Sequence, residues 1–529
     1  MKHLGSCRIF VLLVCSASAV PAVAGFTQLQ KMTSSPRGVA AQFGYAVAMN
    51  GNTMVTGARY DSTTGSQAGA AFVFVRSGTT WTQQAALLAS DGAAFDRFGA
   101  SVAISEDTIV VGAPDDDGTF SNSGSAYVFV RTGTTWTQQQ KLTASDGTAD
   151  DEFGNAVAVA GDTVVVGAHF ADLPSNSAAG SAYRYQRTGT VWTQTQKLIP
   201  VGGVVLGDSF GESVALSGNR LAVGSSTADI PQTGAGSVYV YSDTTGAYLL
   251  EQRLSIPGGA NGDLFGFSVA IEGNTLIGGA RENAPSVGQT AYGAAYVFEF
   301  DGAAWIQQQK LIASDGGAFD RFGWSVAVSD NVVAVGARED DTVVGQDAGS
   351  VYIFTRAGTT WTQQQKLEPS DTFTGDRFGS SVALSFGELI VGAAEKALSS
   401  PSGQGAAYYF SSAPSGVGRV PGDLGLESAL TATKSGGNLT LSWARSCLST
   451  ETDFEVYEGS LSNFASHVPV LCSTSGATTA TFVQPGGSSY FLVLADNGSA
   501  EGSYGLTSTG AERTVSSSAC LPQSIALCP

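Results

Sequence analysis

Histidine is scarce in this sequence. There are three, and only His169 and His467 follow the first 24 residues. A histidine-based triad or a multi-histidine metal centre therefore has almost no material. Charge is sparse as well: Asp, Glu, Lys and Arg make up 13% of 529 residues, about half the usual share. Amphipathic helices need Lys and Glu on their exposed faces, so a mainly helical fold is disfavoured. No cysteine lies between Cys15 and Cys447, which removes disulfides and thiolate sites from most of the chain. After the first 24 residues no apolar run approaches the roughly 20 residues of a membrane-spanning helix.

The bases are outnumbered, 26 against 45 acids, for a net charge of −19. Such a chain repels nucleic acid and anionic membranes and tolerates cations and basic partners. What the sequence does have is glycine, 67 residues, and a hydrophobic content of 43%. That pair suits many short strands joined by tight turns.

The first segment reads as a secretory signal peptide. Lys2 and Arg8 are basic, Ile9 to Val14 are apolar, and Ala22-Val23-Ala24 offers a small-x-small cleavage site. A lipoprotein signal with Cys15 lipidated is the alternative, disfavoured by the bulky Val14 before it. The expectation is an exported protein, secreted or at the cell surface. Cys447, Cys472, Cys520 and Cys528 then suggest two disulfides. Of the three pairings, Cys447–Cys472 and Cys520–Cys528 are favoured. A zinc site is the rival, but there is no Cys-x-x-Cys pair and only His467 is near.

Internal repetition is the strongest signal. A Phe-Gly pair recurs at Phe43, Phe98, Phe153, Phe210, Phe265, Phe322 and Phe378, spaced by 55, 55, 57, 55, 57 and 56 residues. Gly-Ala or Gly-Ser follows each pair, from Gly57-Ala58 to Gly392-Ala393. Each unit holds four strand-like runs separated by short turns, and none shows sustained helical periodicity. Four antiparallel strands repeated seven times is the signature of a β-propeller. The innermost runs, such as Ser101-Val102-Ala103-Ile104, are rich in Ala and Ser, as the narrow end of a blade requires.

The seventh unit lacks its fourth strand. Phe26 to Met32, reading FTQLQKM, matches the outer-strand pattern WTQQQKL and sits at the other end of the repeats. The N-terminal strand is therefore expected to close the last blade. The expected architecture is all-β: a signal peptide over 1–24, a seven-bladed propeller over 25–412, a linker over 413–422 and a small β-sandwich-like domain over 423–529. In that last part strands are read at Leu439 to Trp443, Phe454 to Glu458, Thr479 to Val483 and Tyr490 to Ala495. Trp443 near Cys447 loosely resembles a fibronectin type III or immunoglobulin-like core.

The pattern Phe-Gly … Gly-Ala-Pro, complete in Val111-Gly112-Ala113-Pro114, resembles the FG-GAP repeats of integrin α-chain propellers and of many exported bacterial proteins. The resemblance implies the propeller fold and leaves the activity open, because propellers host many functions. Repeats of the integrin type often carry an Asp-x-Asp-x-Asp-Gly calcium loop between the first and second strands. Here those positions read, for example, Asn50-Gly51-Asn52 and Ala160-Gly161-Asp162. None has the carboxylates that calcium needs in one loop, so those calcium sites are not carried over.

The loops between second and third strands, and between blades, are longer and richer in acids than the turns on the other face. Two of them carry clusters: Asp115, Asp116 and Asp117, and Glu339, Asp340 and Asp341 with Asp347. These carboxylates either meet a ligand, calcium or a cationic partner, or serve solubility. An aspartate stands two residues before the Phe in six of seven units, as at Asp96, and Ser-Asp pairs such as Ser90-Asp91 lie upstream. A structural role, accepting backbone N–H bonds at the start of the inner strand, competes with calcium bridging by Asp91 and Asp96. No carboxylate pair is singled out for catalysis. The leading expectation is an extracellular module that binds a protein, glycan or cation through its acidic loop face, with no cofactor required. An exported carboxylate-based hydrolase or lyase, and a passive structural surface protein, are the alternatives.

Overall fold

The structure, a computed structural model, describes residues 25–35, 40–173, 177–201, 207–229, 232–244, 246–284, 291–397 and 403–412, and the backbone of six strands between residues 431 and 496. Gly25–Ser412 forms one compact unit, and the strands after Ala413 belong to another. Residues 1–24, read above as a signal peptide, and the four C-terminal cysteines lie outside the described residues.

Gly25–Ser412 consists of seven four-stranded antiparallel sheets. In the first blade the strands run outward as Val47–Asn50, Thr53–Ala58, Ala70–Ser77 and Thr80–Leu87. The inner strands of blades two to seven are Ser101–Ser105, Ala156–Ala160, Phe210–Ser217, Phe265–Glu272, Phe322–Ser329 and Phe378–Ser385. Each inner strand contacts the next, and Phe378–Ser385 contacts Val47–Asn50, so the ring is closed.

Closure uses the N-terminus. Thr27–Met32 is the outermost strand of the seventh blade, antiparallel to Ala406–Ser411, with Thr27 opposite Ser411 and Met32 opposite Ala407. The expected strand exchange between the two ends of the repeat region is observed. No sheet edge is left unmatched at the junction.

The sequence forces this packing. Second strands such as Thr108–Ala113 (TIVVGA) are β-branched and buried on both faces. Outer strands such as Thr135–Leu142 alternate an exposed threonine with a buried Trp136. The Phe of every Phe-Gly pair is buried between blades; Phe98 meets the edges of Tyr127 and Phe129 at 5.4 and 6.0 Å.

The glycines explain the motif. A Cβ on Gly112 would stand 1.9 Å from the carbonyl oxygen of Gly154 in the next blade. The same meeting of a Gly-Ala glycine with the next Phe-Gly glycine occurs at all seven junctions, the last being Gly392 against Gly44. The Phe-Gly glycine also has a left-handed backbone, φ +92° at Gly99, which favours glycine.

The C-terminal strands form two three-stranded antiparallel sheets. Asn438–Ser442 lies between Thr431–Ser435 and Thr479–Val483, and Asp453–Ser460 lies between Asn463–Leu471 and Ser489–Asp496. Four match the sequence expectation. Thr431–Ser435 and Asn463–Leu471 are two strands beyond those expected; the second contains Pro469 and is the edge of its sheet, where proline is tolerated.

Candidate functional site

The fold divides each acidic cluster into separate roles. Asp115 pairs with Arg97 at 2.9 Å. Asp116 is buried and accepts the Tyr127 hydroxyl at 2.5 Å and the Lys141 ammonium at 2.9 Å. Asp117 is exposed, and its Oδ1 accepts the backbone N–H of Asn122. In the sixth blade Glu339 pairs with Arg321 at 3.1 Å, and the buried Asp340 pairs with Lys366 at 2.8 Å. Asp341 accepts the N–H of Asp347. Asp172 and Asp229 make equivalent loop bonds to Ala178 and Gly234. Asp117 and Asp341 therefore belong to a recurring device that holds the loop shape.

The aspartates before Phe-Gly act on the backbone. Asp96 accepts the N–H of Ala93, Asp263 that of Ala260 and Asp376 that of Phe373, at 2.6 to 2.7 Å. Asp91 lies beside Lys141 at 2.7 Å and accepts the Tyr127 hydroxyl. The Lys141 ammonium thus supplies the positive charge between Asp91 and Asp116. Among the described residues no group of three or more His, Cys, Asp or Glu side chains is arranged to hold a metal ion. Burial pushes the Asp91 carboxyl up, but its bonds to Lys141 and Tyr127 outweigh this and hold it low. Burial, with Asp116 adding repulsion, raises Asp96 to about 6.

A second constellation forms where the inner strands begin. The residue after each Phe-Gly pair differs from blade to blade: Tyr45, Ala100, Asn155, Glu212, Phe267, Trp324 and Ser380. Phe267 and Trp324, 57 positions apart, approach to 5.0 Å between ring centroids. The Arg281 guanidinium lies 3.9 Å from the Phe267 ring and 4.7 Å from Trp324. Arg338 covers Trp324 at 4.0 Å, and Arg59 covers Tyr45 at 3.7 Å. Arginines and aromatic rings thus alternate around part of the mouth. Acids interleave with them: Glu282 faces Arg321, Glu395 faces Arg377, and Glu212 accepts the Ser226 hydroxyl. Burial lowers Arg338 to about 10.

One sector differs. Glu152 stands 3.7 Å from His169. Burial, aided by the Asp115 charge, pushes Glu152 up to about 7, and burial pushes His169 down to about 4. Glu152 is therefore partly protonated near neutrality, while His169 is uncharged.

The FG-GAP repeat family matches residues 26–74, 81–129, 136–185, 192–241, 248–298, 305–354 and 361–410. The chain belongs to the FG-GAP repeat family. No curated protein matches it in sequence. Among solved structures, Saccharomyces cerevisiae Sqt1 is similar at 12% identity and a TM-score of 0.39, over 70% of this chain and 83% of that one. The WD40 domain of Neurospora crassa Pan2 is similar at 9% identity and a TM-score of 0.45, over 75% and 97%.

In this FG-GAP protein the seven matched segments each begin in the outer strand of one blade and end in the third strand of the next. The family match thus spans the junctions that the paired glycines close. The mouth residues were not singled out in the sequence. The signal that marks them is variability at the position after Phe-Gly, inside a repeat that is otherwise nearly constant.

Proposed function

We propose that this FG-GAP protein is an exported binding module whose ligand, an extracellular protein or glycan, is recognised at the aromatic–guanidinium mouth. The observation that carries this reading is the run Phe267, Arg281, Trp324 and Arg338, stacked across two blades. The Phe-Gly phenylalanine and the paired glycines recur in every blade, whereas the aromatic–guanidinium stacks occupy only part of the ring. Half-exposed aromatic faces beside guanidinium groups suit sugar rings and peptide side chains alike. The acidic rim, largely neutralised by its own lysines and arginines, is left to shape the loops.

The test is binding to arrayed extracellular glycans and matrix proteins by the wild type, Trp324→Ala, and the rim variant Asp117→Lys with Asp341→Lys. Loss of binding with Trp324→Ala and retention with the rim variant supports the mouth. The opposite result moves the site to the acidic rim.

Glu152 favours a second reading. A carboxyl held near about 7 beside Asp115 is poised as a general acid, so an exported carboxylate-based hydrolase or lyase is the alternative. Turnover of arrayed glycans that Glu152→Gln abolishes would select it.

A further inference from the structure

Five of the seven outer strands carry a lysine at the same position, and in four of them it meets an acidic partner. Lys141 lies between Asp91 and Asp116, and Lys366 between Asp315 and Asp340. The fifth blade changes both partners. Gly258 stands at the position of Asp91, and Asn283 at the position of Asp116. The Lys310 ammonium nitrogen lies 2.6 Å from Asn283 Oδ1. Asn283 and Asp263 are both buried, Asp263 hydrogen-bonds to the Asn283 side chain, and the Tyr296 ring lies 5.7 Å from Lys310 Nζ.

We propose that Lys310 and Asn283 react to form an intramolecular isopeptide bond, with Asp263 as the proton carrier. The amine meets the carboxamide, the carboxamide meets a buried carboxyl, and the Tyr296 ring stands beside them; no further reagent is needed. Lys310 Nζ, as the free amine, attacks Cγ of Asn283, and the new C–N bond forms. Asp263 gives its carboxyl proton to Nδ2 and takes one from Nζ. The Cγ–Nδ2 bond breaks, ammonia leaves, and Asp263 is returned as the acid. The balance is amine plus primary amide to secondary amide plus ammonia, with no oxidant or reductant.

The electrostatics run in the required direction. Burial lowers Lys310, only partly offset by the Asp263 charge, and favours the free amine. Burial raises Asp263 and favours the acid, against its bonds to Ala260 and Asn283 and the charge of Lys310. In the second and sixth blades the lysine is raised instead by two carboxylate partners, which outweigh burial and keep it charged and unreactive. The bond joins the loop after the second strand to the outermost strand Trp305–Leu311. It would staple the exposed edge of that blade against peeling.

The test is peptide mapping of the full-length protein, denatured and cut after glutamate. Cleavage at Glu282 and Glu299 separates Asn283 from Lys310. The expected result is that Asn283–Glu299 is recovered joined to the fragment bearing Lys310, lighter by one ammonia than the two together. Lys310→Arg and Asn283→Ala should release the fragments separately. Asp263→Asn, in protein that still melts cooperatively, should also leave them apart. A free, unmodified Asn283–Glu299 fragment from the wild type overturns the proposal, as does conversion of Asn283 to Asp without joining. Full joining in Asp263→Asn overturns the role given to Asp263.

Discussion

The side-chain amide of Gln365 holds both backbone groups of Phe26. The N–H of Phe26 donates to Oε1 at 2.7 Å, and Nε2 donates to the Phe26 carbonyl at 2.9 Å. The amide thereby imitates a β-ladder partner between two blades. Gln30 does the same for Trp81, Gln140 for Trp192, Gln196 for Tyr248, Gln252 for Trp305 and Gln309 for Trp361. Ala85 stands at this position in the first blade, facing Trp136.

Gln365→Ala should therefore destabilise the propeller by about 1–3 kcal/mol, since two hydrogen bonds at about 1 kcal/mol each are lost. Ala85→Gln should supply the missing clamp and stabilise by about 1 kcal/mol. Denaturant unfolding of the two variants checks both signs.

The paired glycines leave no room for a side chain. Gly112→Ala drives a methyl group into the Gly154 backbone, which cannot yield, and into the Ser101 hydroxyl bonded to it. The cost should be about 3 kcal/mol or more. Gly133, in an open hairpin turn with nothing nearby, is the control, and Gly133→Ala should cost about 1–2 kcal/mol from its backbone angle alone. Thermal melts of the pair separate packing from conformation.

Much of this was legible because spacing encodes it. The intervals between Phe-Gly pairs set the blade count, and the likeness of FTQLQKM to WTQQQKL placed Phe26 to Met32 in the last blade. Side-chain pairing was not legible. Asp116 reads as a loop acid until the fold brings Lys141, 25 residues later, against it. Phe267 and Trp324 meet only because consecutive blades repeat the same position. Carboxylates clustered in sequence part company in the fold, which distributes each cluster between the interior, a base and a backbone amide.

Trp324→Ala should leave the fold nearly unaffected, because Trp324 is only half-buried and its contacts lie at the mouth. A melting temperature within a few degrees of wild type, together with lost ligand binding, is expected. A large fall in melting temperature would give Trp324 a structural role instead.

Acidity should stabilise the propeller over a defined window. Burial raises Asp96 and Asp320 from 3.8 to about 6, with Asp116 and Asp340 adding repulsion. Glu152 and Glu272 move from 4.5 to about 7 by burial. Between these values the folded state holds more protons than the unfolded chain, so stability falls as pH rises from about 4 to about 7. His169, lowered from 6.5 to about 4 by burial, opposes this, and toward the acid end so do Asp91, Asp146, Asp315 and Asp371, held low by their lysine and tyrosine partners against burial. In Asp96→Asn with Asp320→Asn the melting temperature should fall less steeply over that range.

Amide hydrogen exchange along Thr27–Met32 addresses ring closure most directly. If this strand latches the seventh blade, its amides paired with Ala406–Ser411 will be protected as strongly as those of Thr135–Leu142 in the second blade. Exchange as fast as that of the Gly133 turn would mean an open ring, and the mouth built on it would fall with it.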